Sequence, residues 1–122
     1  MNELSADQIA RYRAGARQQE QQHQQQQRER QQRGLEVARQ AAQLLKQEFG
    51  AQRVRLFGSL LDVGRVRQES DVDLAVDGLD DRRYLEAVAQ LLDLSDFSID
   101  LVQVEYAAPR IRQIIDQQGV DL

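Results

Sequence analysis

Two aspartates stand two positions apart in an otherwise apolar segment. Over residues 71–76, Asp71, Asp73 and Ala75 alternate with Val72, Leu74 and Val76. Alternation with a period of two predicts a β-strand that places both carboxylates on one face. The pair could simply be the wet side of a half-exposed strand, but aspartate is depleted in strands. Because divalent cations relieve the repulsion between close carboxylates, the pair is a candidate site for Mg²⁺ or Mn²⁺.

A third carboxylate interrupts another apolar segment, residues 97–102. Asp100 lies there between Ile99 and Leu101, and the segment is predicted to form a strand. If the two strands pair, Asp100 can complete a cluster of three carboxylates. Such a cluster can hold two metal ions about 3.5–4 Å apart that clamp the attacking and leaving oxygens of a phosphoryl group. Alone, Asp100 could equally be a turn or edge residue.

A glycine and a serine follow the strand predicted for residues 54–57. Gly58 would let backbone N–H groups approach a phosphate closely, and Ser59 could donate a hydrogen bond to a phosphate oxygen. By itself the pair is an ordinary turn. Its interest comes from the combination with Asp71, which follows after a spacer of eleven residues.

The elements that must position these residues follow from the apolar spacing. Residues 35–49 carry apolar side chains three and four apart, which predicts an amphipathic helix ended by Gly50. Further helices are predicted after Asp80 or Asp81 and from Pro109 to Gly119. In the first of these, one apolar face is expected to contain Leu85, Val88, Leu91 and Leu92. The order α, β, β, α, β, α indicates an α/β (α+β) fold, with helices flanking a small mixed sheet of at least three strands.

A glutamine-rich tract, residues 18–32, precedes this body. Ser5 is a plausible N-cap, and no proline interrupts the chain up to Phe49, so one long helix is predicted from Ser5 to Phe49, with weak points at Gly15 and Gly34. We divide the chain into a polar helical extension, residues 1–33, and a domain, residues 34–122. Because a helix polar all round has no core of its own, the extension is expected to dock on a partner or to fray.

Composition argues against several classes of protein. Residues 1–33 carry six arginines against four acids, whereas residues 34–122 carry ten basic groups against sixteen acids. An acidic body argues against direct nucleic-acid binding. The sequence has no cysteine and no apolar run of about 20 residues that could span a membrane. It also begins without the features of a secretory signal, so we expect a cytoplasmic protein.

Together, Gly58-Ser59, the spacer, Asp71-x-Asp73 and Asp100 resemble the minimal nucleotidyltransferase family of the DNA polymerase beta-like superfamily. The resemblance covers about residues 35–122. It implies the nucleotidyltransferase fold and Mg²⁺-dependent transfer of a nucleotidyl group from ATP. Asp71 and Asp73 would be metal ligands, and Asp100 a third ligand or general base.

Members of this family often have an arginine directly after Gly-Ser, whereas this chain has Leu60-Leu61-Asp62. Either Arg65 and Arg67 supply the missing positive charge, or phosphate binding is weaker than in those members. Gly58, Ser59, Arg65 and Arg67 are therefore the candidate phosphate-binding residues.

Many free-standing members resemble antitoxins that are paired with a HEPN ribonuclease toxin. In that family they can add AMP from ATP to a tyrosine of the toxin. The resemblance therefore implies a protein adenylyltransferase with a HEPN toxin as its partner. Two alternatives stay open: an antitoxin that neutralises its partner by stoichiometric binding, and nucleotidyl transfer to a small molecule.

Overall fold

A helix of 44 residues, α1 (Ala6–Phe49), is the longest element of the computed structural model, which describes residues 3–122. Ser5 and Gln8 form a capping box at its start, each side chain accepting a hydrogen bond from the other residue's backbone N–H. Gly50 ends it in the left-handed conformation, with φ of 67°. The predicted long helix is confirmed, and it continues without a break through Gly15 and Gly34.

Only part of α1 packs on the rest of the protein. Side chains are exposed throughout residues 6–26. Contacts with the body begin at Gln27, whose side-chain amide donates to the carbonyl of Val66 at 3.0 Å. From Gly34 onward an apolar stripe is buried: Val37, Ala38, Ala41, Ala42, Leu45 and Phe49.

The sheet has four strands: β1 (Arg53–Phe57), β2 (Val72–Asp77), β3 (Ile99–Gln103) and β4 (Val120–Asp121). Their order is β3-β2-β1-β4; β2 and β3 are parallel, and the other two pairs are antiparallel. The mixed α/β fold is therefore confirmed, with a fourth strand that the apolar pattern did not reveal. Two residues carry too little alternation to predict a strand, and Asp121 is fixed there by an ion pair with Arg53 at 2.6 Å.

Helices cover the two faces of the sheet unequally. α1 and α2 (Tyr84–Leu92) pack on the face that contributes Val54, Leu56 and Leu74 to the main core. On the other face, α3 (Pro109–Gln118) contributes Ile115 to a smaller cluster with Phe57, Ala75 and Val104. On this face Asp71 and Asp100 are exposed and Asp73 is half-buried, so the sheet stays open where β2 and β3 begin.

The buried face of α2 differs from the expected one. Leu91 is buried and Val88 is partly buried, but Leu85 and Leu92 are 78% and 65% exposed. The prediction that all four leucine and valine side chains share one packed face is therefore wrong. The helix packs on the core through the small, fully buried Ala87. Because the Ala87 side of the helix is the buried one, Leu85 and Leu92 point toward solvent. None of the helices within residues 3–122 is both long and apolar enough to cross a lipid bilayer.

Candidate active site

Asp73 and Asp100 meet across the parallel pair of strands. Asp73 of β2 is the direct register partner of Asp100 of β3. Neighbouring strands lie about 4.8 Å apart, and facing residues of a pleated sheet point to the same side. Their neighbours Leu74 and Leu101 point to the opposite side and are buried. The structure thus brings two of the three candidate carboxylates together on the open face, with Asp73 half-buried and Asp100 exposed.

Asp71 lies one residue before β2 and is exposed. Its charge reaches Asp73: burial first, and then repulsion from Asp100 and Asp71, raise the pKa of Asp73 from 3.8 to about 6. We refer to these three residues as the carboxylate site. Its negative charges repel one another, which is the electrostatic setting that a cation would relieve.

The three carboxylates can hold Mg²⁺ if water and substrate oxygens complete its coordination. Within residues 3–122, no three acidic or histidine side chains already form a group that could hold a metal ion unaided. Mg²⁺ commonly takes only one or two protein carboxylates and fills its remaining positions with water and substrate phosphate oxygens. The in-register pair Asp73 and Asp100, with Asp71 beside it, is suited to that mode of binding.

Gly58 brings the backbone directly against the carboxylate site. Its φ of 87° and ψ of −158° lie in a region that side chains other than glycine rarely adopt. A Cβ atom at this position would be 2.2 Å from Oδ2 of Asp73. The position therefore requires glycine twice over, for its conformation and for the space that Asp73 occupies.

Ser59 begins a short 3₁₀ turn, Ser59–Leu61, that leads away from the carboxylates. Leu60 is fully buried and fixes this turn to the core. The hydroxyl of Ser59 is 3.3 Å from that of Ser70, which in turn accepts a hydrogen bond from the backbone N–H of Arg67 at 2.7 Å. Ser70 was not singled out in the sequence; its position directly before Asp71-x-Asp73 is the signal that could have revealed it.

A shallow pocket lies beside this turn, and we call it the phosphate pocket after the role that the sequence predicts for its residues. It is lined by Ser59, Gly64, Arg65, Arg67 and Ser70. Arg65 and Arg67 are exposed, and neither takes part in an ion pair with the described residues 3–122. Three of the four candidate phosphate-binding residues thus line one pocket, and the fourth, Gly58, is adjacent in the chain.

Not every acid on this face belongs to the carboxylate site. Asp77 lies four residues after Asp73 on the same side of β2, but its Oδ2 is 3.4 Å from the guanidinium of Arg55. Arg55 is 5% exposed and also contacts Asp116 at 3.2 Å. Asp77 therefore has a structural role, because it neutralises a buried cation.

Comparison with known protein families finds a match for most of this chain. Residues 39–122 match the polymerase beta nucleotidyltransferase domain. No curated protein matches the sequence.

Two toxin–antitoxin complexes are among the solved structures similar to this chain. One is a toxin–antitoxin complex with AMP-PNP, at 30% identity and a TM-score of 0.55; the match covers 65% of this chain and 66% of that one. The other is the MntA-HepT toxin–antitoxin complex, at 26% identity and a TM-score of 0.54, covering 70% of this chain and 68% of that one. The chain thus spans about two thirds of the length of the solved chains that it matches.

The resemblance that rests on Gly58-Ser59, Asp71-x-Asp73 and Asp100 is confirmed by these matches. Because the family match covers 84 of the 122 residues, the chain belongs to the polymerase beta nucleotidyltransferase family.

Proposed function

We propose that this chain transfers AMP from ATP to a tyrosine hydroxyl of a partner HEPN toxin in the cytoplasm, and thereby acts as its antitoxin. The supporting observation is the pairing of Asp73 with Asp100 in register, with Gly58 against Asp73. The solved relatives add context, since they are toxin–antitoxin complexes and one of them contains AMP-PNP, an analogue of ATP.

The proposed reaction exchanges one phosphorus–oxygen bond for another. The acceptor hydroxyl oxygen attacks the α-phosphorus of ATP and forms a new P–O bond. The bond from that phosphorus to the oxygen that bridges to the β-phosphate breaks, and pyrophosphate leaves with the bonding electrons. Asp100 is exposed beside Asp73, so it is placed either to accept the hydroxyl proton or to serve as a third ligand.

Asp71 and Asp73 would hold Mg²⁺, which supplies positive charge to the phosphoryl oxygens when bound. The raised pKa of Asp73, about 6, indicates that the folded chain has excess negative charge at this point. A cation that binds there would favour the ionised carboxylate, and at neutral pH that form is already the major one.

We assign the β-phosphate of the donor, next to the transferred group, to the phosphate pocket. The backbone at Gly58 lies beside the carboxylate site, and the next residue, Ser59, lines the pocket. Arg65 and Arg67 would then neutralise the phosphate charge that family members often meet with an arginine directly after Gly-Ser. Arg65 and Arg67 thus take the place of the arginine that those family members have directly after Gly-Ser.

An open carboxylate face suits a macromolecular acceptor, because the short chain has little room to enclose a small one. The second candidate function is neutralisation by stoichiometric binding. It is favoured by the exposed part of α1, residues 6–26, whose side chains are left to solvent in this chain. We assign partner binding to the extension, residues 1–33, and chemistry to the domain, residues 34–122.

The test is to purify the chain with its toxin, add ATP and Mg²⁺, and weigh both chains by intact mass spectrometry. The toxin should gain the mass of one or more AMP groups. Asp73→Asn and Asp100→Asn should reduce this gain by orders of magnitude, whereas Asp93→Asn, an exposed acid at the end of α2, should not.

The same preparation separates the two functions. If Asp73→Asn still protects against toxin activity at equal stoichiometry, with no change in toxin mass, neutralisation works by binding. If the wild-type chain leaves the toxin mass unchanged while the two remain bound, the transferase proposal is wrong.

A further inference from the structure

A basic groove runs between α1 and residues 66–68, outside the carboxylate site. Its lining includes His23, Arg30, Arg33 and Arg67, and no carboxylate of the described chain lines it. It encloses about 370 Å³, which is within the range of roughly 300–1,000 Å³ typical of small-molecule sites. In a protein of net charge −4, a groove with this lining is a local exception.

Side-chain amides of α1 hold the walls of the basic groove together. Gln27 donates to the carbonyl of Val66 at 3.0 Å, and Gln31 donates to the carbonyl of Leu60 at 2.8 Å. Both acceptors belong to the segment that also forms the phosphate pocket. Because the bonds join the helix to that segment at two successive turns, the groove is preformed.

Arg30 is held in place but has unused hydrogen-bonding capacity. Its guanidinium lies 4.0 Å from the centre of the Phe97 ring, in a cation–π contact. Its buried Nε atom has no hydrogen-bond partner among the described residues. Because that atom is shielded from solvent, an acceptor in the groove would meet the terminal guanidinium nitrogens of Arg30 instead.

The arginines of the basic groove also lack carboxylate partners. Within residues 3–122, ion pairs engage four other arginines: Arg53, Arg55, Arg82 and Arg83. Glu29 and Glu36 line the adjoining surface beside Arg33 but do not form an ion pair with it. Arg30, Arg33 and Arg67 therefore bring together three positive charges that a phosphate-bearing ligand would neutralise, and the guanidinium fork suits phosphate oxygens.

Arg67 connects the basic groove to the phosphate pocket, because it lines both. We propose that the groove continues the phosphate pocket and binds the terminal phosphate of the nucleotide donor and of the released pyrophosphate, with Arg30 and Arg33 of α1 as phosphate ligands. The proposal rests on the proposed function, which supplies the donor. It gives the polar part of α1 a role in substrate binding besides its role toward a partner.

The probe is inorganic tripolyphosphate, titrated by calorimetry into the full chain without divalent cations. Arg30→Gln/Arg33→Gln should weaken binding about a hundredfold, since each of the two lost charge-assisted contacts is worth about a factor of ten. The matched control, Arg11→Gln/Arg17→Gln, removes two arginines from the exposed part of the same helix and should leave the affinity unchanged. Arg33→Gln alone should retain the fold, because Arg33 is exposed, and should still weaken binding.

Equal affinity for the wild-type chain and Arg30→Gln/Arg33→Gln overturns the proposal. So does a wild-type chain that binds single-stranded oligoadenylate but not tripolyphosphate, because the groove would then serve a nucleic acid. Asp73→Asn should lose AMP transfer and keep tripolyphosphate binding. A wild-type chain that binds tripolyphosphate through Arg30 and Arg33 but transfers no AMP would refute the proposed function and support the groove.

Discussion

Replacing Asp73 with asparagine should stabilise the metal-free protein although it removes a residue of the proposed chemistry. Asp73 is half-buried beside two other carboxylates, and its pKa is raised from 3.8 to about 6. Asparagine has nearly the same shape and carries no charge, so the variant removes the repulsion and keeps the packing. The expected gain is therefore purely electrostatic.

The sign and size of the effect follow from the pKa of Asp73. Because the folded-state pKa is the higher one, the native state binds more protons than the unfolded state between about pH 4 and pH 6. Stability is consequently lost as the pH rises through this window, and at pH 7 the penalty is complete. A pKa change from 3.8 to about 6 corresponds to at most about 3 kcal/mol. Since the carboxyl is only half-buried, solvent screening reduces the expected gain to about 1 kcal/mol.

The measurement is thermal and urea unfolding of both proteins in EDTA from pH 4 to pH 8. Asp73→Asn should unfold about 4 °C higher at pH 7, and the difference should vanish toward pH 4. The matched control is Asp77→Asn, on the same strand and face. Asp77 neutralises the buried Arg55, so its loss should destabilise the protein by about 1 kcal/mol or more.

Two outcomes would contradict this reasoning. If Asp73→Asn is less stable than the wild type at pH 7, the carboxylate makes a favourable contact that outweighs the repulsion. If the gain is the same at pH 4 as at pH 7, it does not come from ionisation. Added Mg²⁺ should reverse the order of stability, because it binds and stabilises the wild-type site more than the variant site.

Three other perturbations test the structure. Gly58→Ala should cost about 1–3 kcal/mol and abolish AMP transfer, measured by urea unfolding and toxin mass, because its Cβ would collide with Asp73. Gly34→Ala should destabilise the fold, since its Cβ would lie 2.8 Å from a buried leucine, whereas Gly15→Ala, in open space, should raise helicity measured by circular dichroism. Deleting residues 1–22 should leave the unfolding midpoint unchanged and weaken toxin binding in a pull-down, and unchanged binding would place the interface on the body.

Much of the architecture could be predicted because its causes are local. The period-two pattern around Asp71 and Asp73 follows from strand geometry alone. The capping box at Ser5 and the left-handed Gly50 likewise fix the ends of α1 from a few neighbouring residues. The Gly58-Ser59 turn could be located for the same reason, but its contact with the carboxylate could not.

Only the tertiary structure decided which separate segments meet. That Asp100 faces Asp73 depends on β3 pairing beside β2 in one register, and register is set by burial of the opposite, apolar face rather than by either strand alone. The outward turn of Leu85 has the same kind of cause, since the core selects which side of α2 it buries. The basic groove exists because Gln27 of α1 reaches a loop 39 residues later in the chain, and local sequence patterns do not encode contacts at that separation.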